Sequence, residues 1–154
     1  MAQKVVGVMG GHDVDVATAE LAHALGAAIA AEGWILLTGG RREGVMDAAT
    51  KGAQQAGGFT VGIHPGDRHD GSGVDADLMV YTGIGFARNM VNVLSSDAIV
   101  ALPGAAGTLS EVAYARTHAV PTLLLRFDDK HWFGDHVQRV DTVEEAVAWL
   151  RETL

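Results

Sequence analysis

The sequence predicts an α/β fold, a doubly wound and mainly parallel sheet with helices on both faces. Three observations predict it. Short apolar runs alternate with helical patterns along the whole chain, as repeated βα units require. The runs are near-continuous in Val, Ile and Leu rather than alternating, so they read as strands buried on both sides. Most of the turns after them are glycine-rich and open directly into helices. No linker or composition break divides the 154 residues, so 1–154 is expected to be one domain with its own core.

The elements follow in order. "KVVGVM" (Lys4 to Met9) is the first strand. Asp13 or Asp15 offers a cap for the helix in which Leu21, Leu25 and Ile29 recur every four residues, and Gly33 sits where that helix should stop. "WILLT" (Trp34 to Thr38) is the second strand, and "GVMDAATKGAQQAGG" a helix closed by Gly57 and Gly58. "FTVGI" (Phe59 to Ile63) is the third strand, followed by a long polar loop, His64 to Asp77. "LMVYT" is the fourth strand and "GFARNMVNVLSS" the third helix. "DAIVAL" and "PTLLLRF" (Pro121 to Phe127) flank the helix "GTLSEVAYARTH" as fifth and sixth strands. A second long loop, Asp128 to Asp141, is expected to hide a short edge strand near Val137 to Val140. It also carries His131 and His136 beside Trp132 and Phe133, which read as loop or interface residues. The last helix starts at Thr142, whose partner Glu145 completes a capping box, and turns Val143, Ala146, Val147 and Leu150 inward.

Composition narrows the function. Hydrophobic residues make up 48% and charged residues 19%, a globular balance. There is no cysteine, which removes disulfides, thiolate chemistry and cysteine-ligated metals. No apolar run reaches membrane-spanning length and no leader pattern opens the chain, so a cytoplasmic protein without a membrane partner is expected. The net charge of -8 argues against a nucleic-acid partner, which needs a basic face.

In a doubly wound sheet, ligands bind beyond the carboxyl ends of the strands, near the point where strand order reverses. The turns to inspect are therefore "GGHD" with Gly10 and Gly11, "GGRREG" with Gly39, Gly40, Arg41 and Gly44, "HPGDRHD", "TGIGFARN" with Thr82, Gly83 and Arg88, and "PGAAGT". Arg41, Arg42, Arg68 and Arg88 gather on this rim, four of the chain's 11 Lys and Arg residues. Gly104, Ala105, Ala106, Gly107 and Thr108 form a side-chain-poor turn at a helix start. There, free N–H groups and the helix dipole favour an anion such as a phosphate. Glu111 lies within about a turn of that cradle, positioned to bind ligand hydroxyls or move a proton. His64, Asp67, His69 and Asp70 match no established ligand spacing, so the loop is expected to be solvated and metal-free. Lys51 reads as a surface lysine.

"LLTGGRREGVMDAATKGA" and "TGIGFARNMVNVLSSDAIVALPGAAGTLSEVAYA", in that order, resemble the SLOG superfamily. That group holds the Lonely Guy (LOG) phosphoribohydrolases, the molybdenum cofactor carriers and proteins misnamed lysine decarboxylases. The resemblance runs from about Lys4 to Leu125 and is nearest the small carrier branch. It implies a Rossmann-like fold and a homodimer or dimer-based tetramer. Arg88 matches the Arg, and Glu111 the Glu, that serve LOG hydrolysis of nucleoside 5′-monophosphates to base and ribose 5-phosphate. Gly104, Gly107 and Thr108 match the phosphate turn, and Gly39, Gly40 and Gly44 the first glycine motif. Ala105 replaces the second glycine of the phosphate turn, Arg41 a third glycine, and Asn89 the Lys that LOG enzymes carry after the Arg. These departures favour a binder or carrier over a hydrolase. The ligand implied is the molybdenum cofactor as cargo, or a nucleoside monophosphate; the fold itself requires no cofactor. Nothing in the chain is poised to hold pyridoxal phosphate, so a decarboxylase is not expected.

Overall fold

A computed structural model of the chain describes residues 2–128 and 132–154. His131 lies outside the described residues. Seven strands form one parallel sheet in the order β4-β3-β2-β1-β5-β6-β7. They are β1 (Val5–Met9), β2 (Ile35–Thr38), β3 (Thr60–His64), β4 (Leu78–Tyr81), β5 (Ala98–Ala101), β6 (Thr122–Leu125) and β7 (Gln138–Val140). The last is the expected edge strand, and it pairs parallel with β6. The helices are α1 (Val16–Ala31), α2 (Gly44–Gln55), α3 (Arg88–Leu94), α4 (Ala106–Thr117) and α5 (Val143–Thr153). The third predicted helix starts as a 3₁₀ turn, Gly85–Ala87, before α3.

Successive strand side chains point to opposite faces, so the sheet carries two cores. Val6, Val8, Leu36, Val100, Leu123 and Leu125 pack with Leu25 and Ile29 of α1, Ala49 of α2 and Leu150 of α5. On the other face Met9, Leu37, Ile63, Ile99 and Leu124 pack with Val93 of α3 and Val112 of α4. Helices α1 and α2 cross at backbone contact. A Cβ on Gly26 would strike the Ala49 carbonyl, and one on Gly52 the His23 carbonyl. This explains why both helices are so rich in alanine and glycine. Asp15, not Asp13, caps α1 by accepting from the Thr18 N–H at 2.8 Å. Thr142 and Glu145 form the predicted capping box at α5.

The chain builds β1 to β4 outward on one side of β1 and then crosses back to lay β5 on the other. The two neighbouring connections diverge at this point, opening a crevice beyond the carboxyl ends of β1 and β5.

Candidate functional site

A cleft of about 540 Å³ occupies that crevice, a volume suited to a small organic ligand. Its walls come from the turns after β1, β2, β4 and β5, four of the five turns that the sequence singles out; the turn after β3 lies outside it. Gly10, Gly11, Gly39, Arg41, Arg88, Ala105, Ala106, Gly107, Thr108 and Glu111 all line it. Gly40, Gly44, Thr82, Gly83 and Gly104 do not, and the reasons are local. The Thr82 hydroxyl is spent on the His64 carbonyl at 2.8 Å. Gly44 takes a positive φ of 50° and lies against the Gly11 carbonyl, where a Cβ would collide. Gly40 packs against β3, and Gly104 lies under the Thr108 side chain, where it lines a smaller adjoining hollow. Gly83 is tied to the Gly66 carbonyl at the base of a loop, where an added Cβ would point into open space. These residues shape the rim instead of facing the cleft.

The α4 N-terminus is the cleft's most distinctive wall. Ala105 occupies the N-cap position and offers no side-chain acceptor. The first intrahelical bond of this turn is donated by the Leu109 N–H to the Ala105 carbonyl at 3.0 Å. The N–H groups of Ala106, Gly107 and Thr108 precede it and have no intrahelical partner. Contrast α1, where the Asp15 carboxylate fills the equivalent place. The Gly11 N–H donates to the Pro103 carbonyl at 2.9 Å, and the Gly11 carbonyl accepts from Val45 at 3.0 Å. The bare β1 turn is thereby pinned between the other two walls.

Arg88 reaches in from the start of α3 and is only 6% exposed. Its Nε donates to the Ile63 carbonyl at 3.0 Å and its Nη1 to the Asn89 side-chain carbonyl. Its Nη2 lies over Gly39, where an added Cβ would sit 2.8 Å away. Glycine is needed there so that the guanidinium can cross the end of β2. Burial holds the Arg88 pKa below its usual range; the Glu111 charge opposes this and Arg41 adds to it. Arg88 remains a cation in any case. Asn89 links this group to α4, since its Nδ2 donates to the Ser110 hydroxyl at 3.1 Å.

Glu111 is buried on α4, and Asn92 Nδ2 donates to its Oε2 at 2.9 Å. Burial pushes its pKa up to about 7, against the opposing pull of Asn92 and Arg88. No ion pair within 4.0 Å joins Glu111 to Arg88 among the described residues. The cleft therefore holds a desolvated cation, an uncapped helix start and an acid that is easily neutralised. All three favour an incoming anion.

Arg41 pairs with Glu43 at 2.9 Å beside the cleft, whereas Arg42 and Arg68 are exposed and line nothing in it. Sequence reasoning missed His12, Glu43, Met46 and Phe86 among the lining residues and the hold of Asn92 on Glu111. His64 also departs from the solvated-loop expectation. It ends β3 fully buried, with Nδ1 accepting from Gly66 N–H and Nε2 2.9 Å from the Ser72 hydroxyl. Asp67, Arg68, His69 and Asp70 are exposed as expected. No group of three or more His, Asp or Glu is arranged to hold a metal among the described residues. Lys51 pairs with Asp47 on the surface of α2. No helix is long and apolar enough to cross a membrane among the described residues.

Fold and site together define a Rossmann-like α/β protein with a small-molecule cleft at its topological switch point. The profile of the SLOG cluster4 family matches residues 3–149, and the chain belongs to that family. It is similar over nearly all of its length to the molybdenum cofactor binding protein of Rippkaea orientalis. The TM-score is 0.91 and the identity 39%, covering 99% of this chain and 98% of that one. The molybdenum cofactor carrier protein of Chlamydomonas reinhardtii superimposes with a TM-score of 0.89 at 36% identity, with the same coverage of 99% and 98%. A Mycobacterium tuberculosis protein named cytokinin riboside 5′-monophosphate phosphoribohydrolase is 36% identical over 114 residues. That match takes in 69% of this chain and 61% of the mycobacterial one.

Proposed function

We propose that this chain binds and carries a phosphorylated small molecule with a flat ring system, a pterin or a nucleotide, at the carboxyl edge of its sheet. The uncapped α4 N-terminus facing the cleft carries this reading. The phosphate sits on the N–H groups of Ala106, Gly107 and Thr108, with the Thr108 hydroxyl and Arg88 Nη2 as further donors. The ring lies over the bare backbone of Gly10 and Gly11. The two near-full-length neighbours named for the molybdenum cofactor support a phosphorylated pterin as cargo. The donor set suits its phosphate, and the cleft volume suits its ring.

A second reading, LOG-like hydrolysis of nucleoside 5′-monophosphates, is supported by Glu111. A buried acid with a pKa near 7 beside a buried arginine is a fit proton carrier for cleaving an N-glycosidic bond. Asn89, spent on bridging Arg88 to α4, favours carriage. Incubation with AMP and assay for free adenine separates the two. Carriage predicts no adenine beyond the uncatalysed background; hydrolysis predicts adenine and ribose 5-phosphate in equal amounts, lost on Glu111→Gln.

The assembly belongs to the same proposal: a homodimer or dimer-based tetramer. Leu94, 58% exposed, and Tyr114 support a helix interface on α3 and α4. From sequence, Met90, Val93 and Leu94 with Tyr114 read as apolar surface in excess of what one sheet face needs, part of it a two-fold helix interface; Val93 instead lies wholly in the chain's own core, and Met90 is half-buried.

A further inference from the structure

Phe86 is 81% exposed, yet it lines the mouth of the cleft, and no other Phe, Tyr or Trp does so among the described residues. It sits in the 3₁₀ turn that leads directly into Arg88. The loop that presents it is anchored at its base, where the Gly83 and Gly85 N–H groups donate to the Gly66 and Pro65 carbonyls at 3.2 and 2.9 Å. Gly83 and Gly85 both take positive φ, 65° and 61°, the left-handed conformation that suits glycine in a tight turn. The lining also includes Gly10, Gly11 and the turn Ala105 to Gly107, whose side chains are a methyl group or nothing. A phenyl ring left largely in water at the mouth of a cleft with this lining is available to meet the flat face of a ligand.

We propose that Phe86 is a specificity-determining residue that stacks on the heterocycle of a ligand whose phosphate lies at the α4 N-terminus. A planar purine or pterin is the kind of ring such a contact selects, and the phosphate end is recognised independently of it. Phe86 therefore contributes to affinity only when the ligand carries a ring. This inference rests on the anion-site reading above.

The test is calorimetric titration of the full chain and of Phe86→Ala. The probes are inorganic phosphate, ribose 5-phosphate, AMP and 6-hydroxymethylpterin monophosphate. The wild type is expected to prefer at least one ring-bearing probe over ribose 5-phosphate, and the better of the two identifies the ring class. Phe86→Ala should lose about tenfold in affinity for that probe while holding phosphate and ribose 5-phosphate unchanged. Phe86→Trp should retain the preference. Equal losses for ribose 5-phosphate and the ring-bearing probes, or no loss for either, overturn the stacking role. So does a drop in solution mass on Phe86→Ala, which would make Phe86 a subunit contact. Absence of ring preference with phosphate still bound sinks this inference alone; absence of binding by every probe sinks the anion-site reading and this inference with it.

Discussion

Glu111→Gln is expected to make the protein more stable above neutral pH. The substitution keeps the side-chain volume, and the new amide oxygen can still accept from Asn92 Nδ2. What disappears is a carboxyl whose pKa burial raises from 4.5 to about 7. The folded chain thus binds this proton more tightly than the unfolded chain. Between those two pH values the folded state holds more protons, so stability falls as pH rises through the window. At 1.36 kcal/mol per pH unit the whole displacement corresponds to roughly 3 kcal/mol, absent below about pH 4.5 and complete above about pH 7. Glutamine has no such proton to lose. Urea denaturation of both proteins at pH 5 and pH 8 reads the effect. The stability of Glu111→Gln relative to wild type should rise by roughly 2–3 kcal/mol between the two conditions. Parallel dependence on pH in the two proteins would refute the reasoning, because Glu111 would then titrate as an ordinary solvated acid.

Other expectations follow from close contacts and exposed surface. Gly39→Ala places a Cβ 2.8 Å from Arg88 Nη2 and 2.9 Å from Met46 Sδ; both are side-chain atoms that can yield, so the fold should survive. Phosphate affinity by calorimetry should drop about tenfold, as expected for loss of one charge-assisted bond. Gly52→Ala drives a methyl into the backbone carbonyl of His23 across the α1–α2 crossing, and thermal denaturation should register a loss of about 1–3 kcal/mol. Light scattering at micromolar concentration should give a mass above that of one chain, and a strictly monomeric mass would refute the helix interface.

The fold was legible because its signal is physical and local. Strands buried on both faces must be apolar throughout, and "WILLT" and "DAIVAL" could hardly be anything else. Choosing Asp15 over Asp13 was beyond sequence, since two carboxylates two residues apart differ only in backbone direction. The anion turn was readable because Pro103 stops a strand and small residues then open a helix. Asn92 was not readable. A polar residue one turn after Arg88 looks like solvated surface until α4 is packed against it. Val93 was misjudged for the complementary reason, since an apolar residue on a short helix does not reveal which apolar neighbour will cover it. His64 depended on the parity of β3, which puts its ring under the loop rather than in water.

The most direct test of the central claim is an amide NMR titration of the whole chain with a phosphorylated probe, AMP or 6-hydroxymethylpterin monophosphate. The account predicts saturable shifts at the Ala106, Gly107 and Thr108 amides, together with Gly10 and Gly11, and no response at Gly33 or Gly57 on the opposite edge of the sheet. Saturable shifts confined to that opposite edge, or still amides at the α4 N-terminus while the probe binds elsewhere, would contradict it.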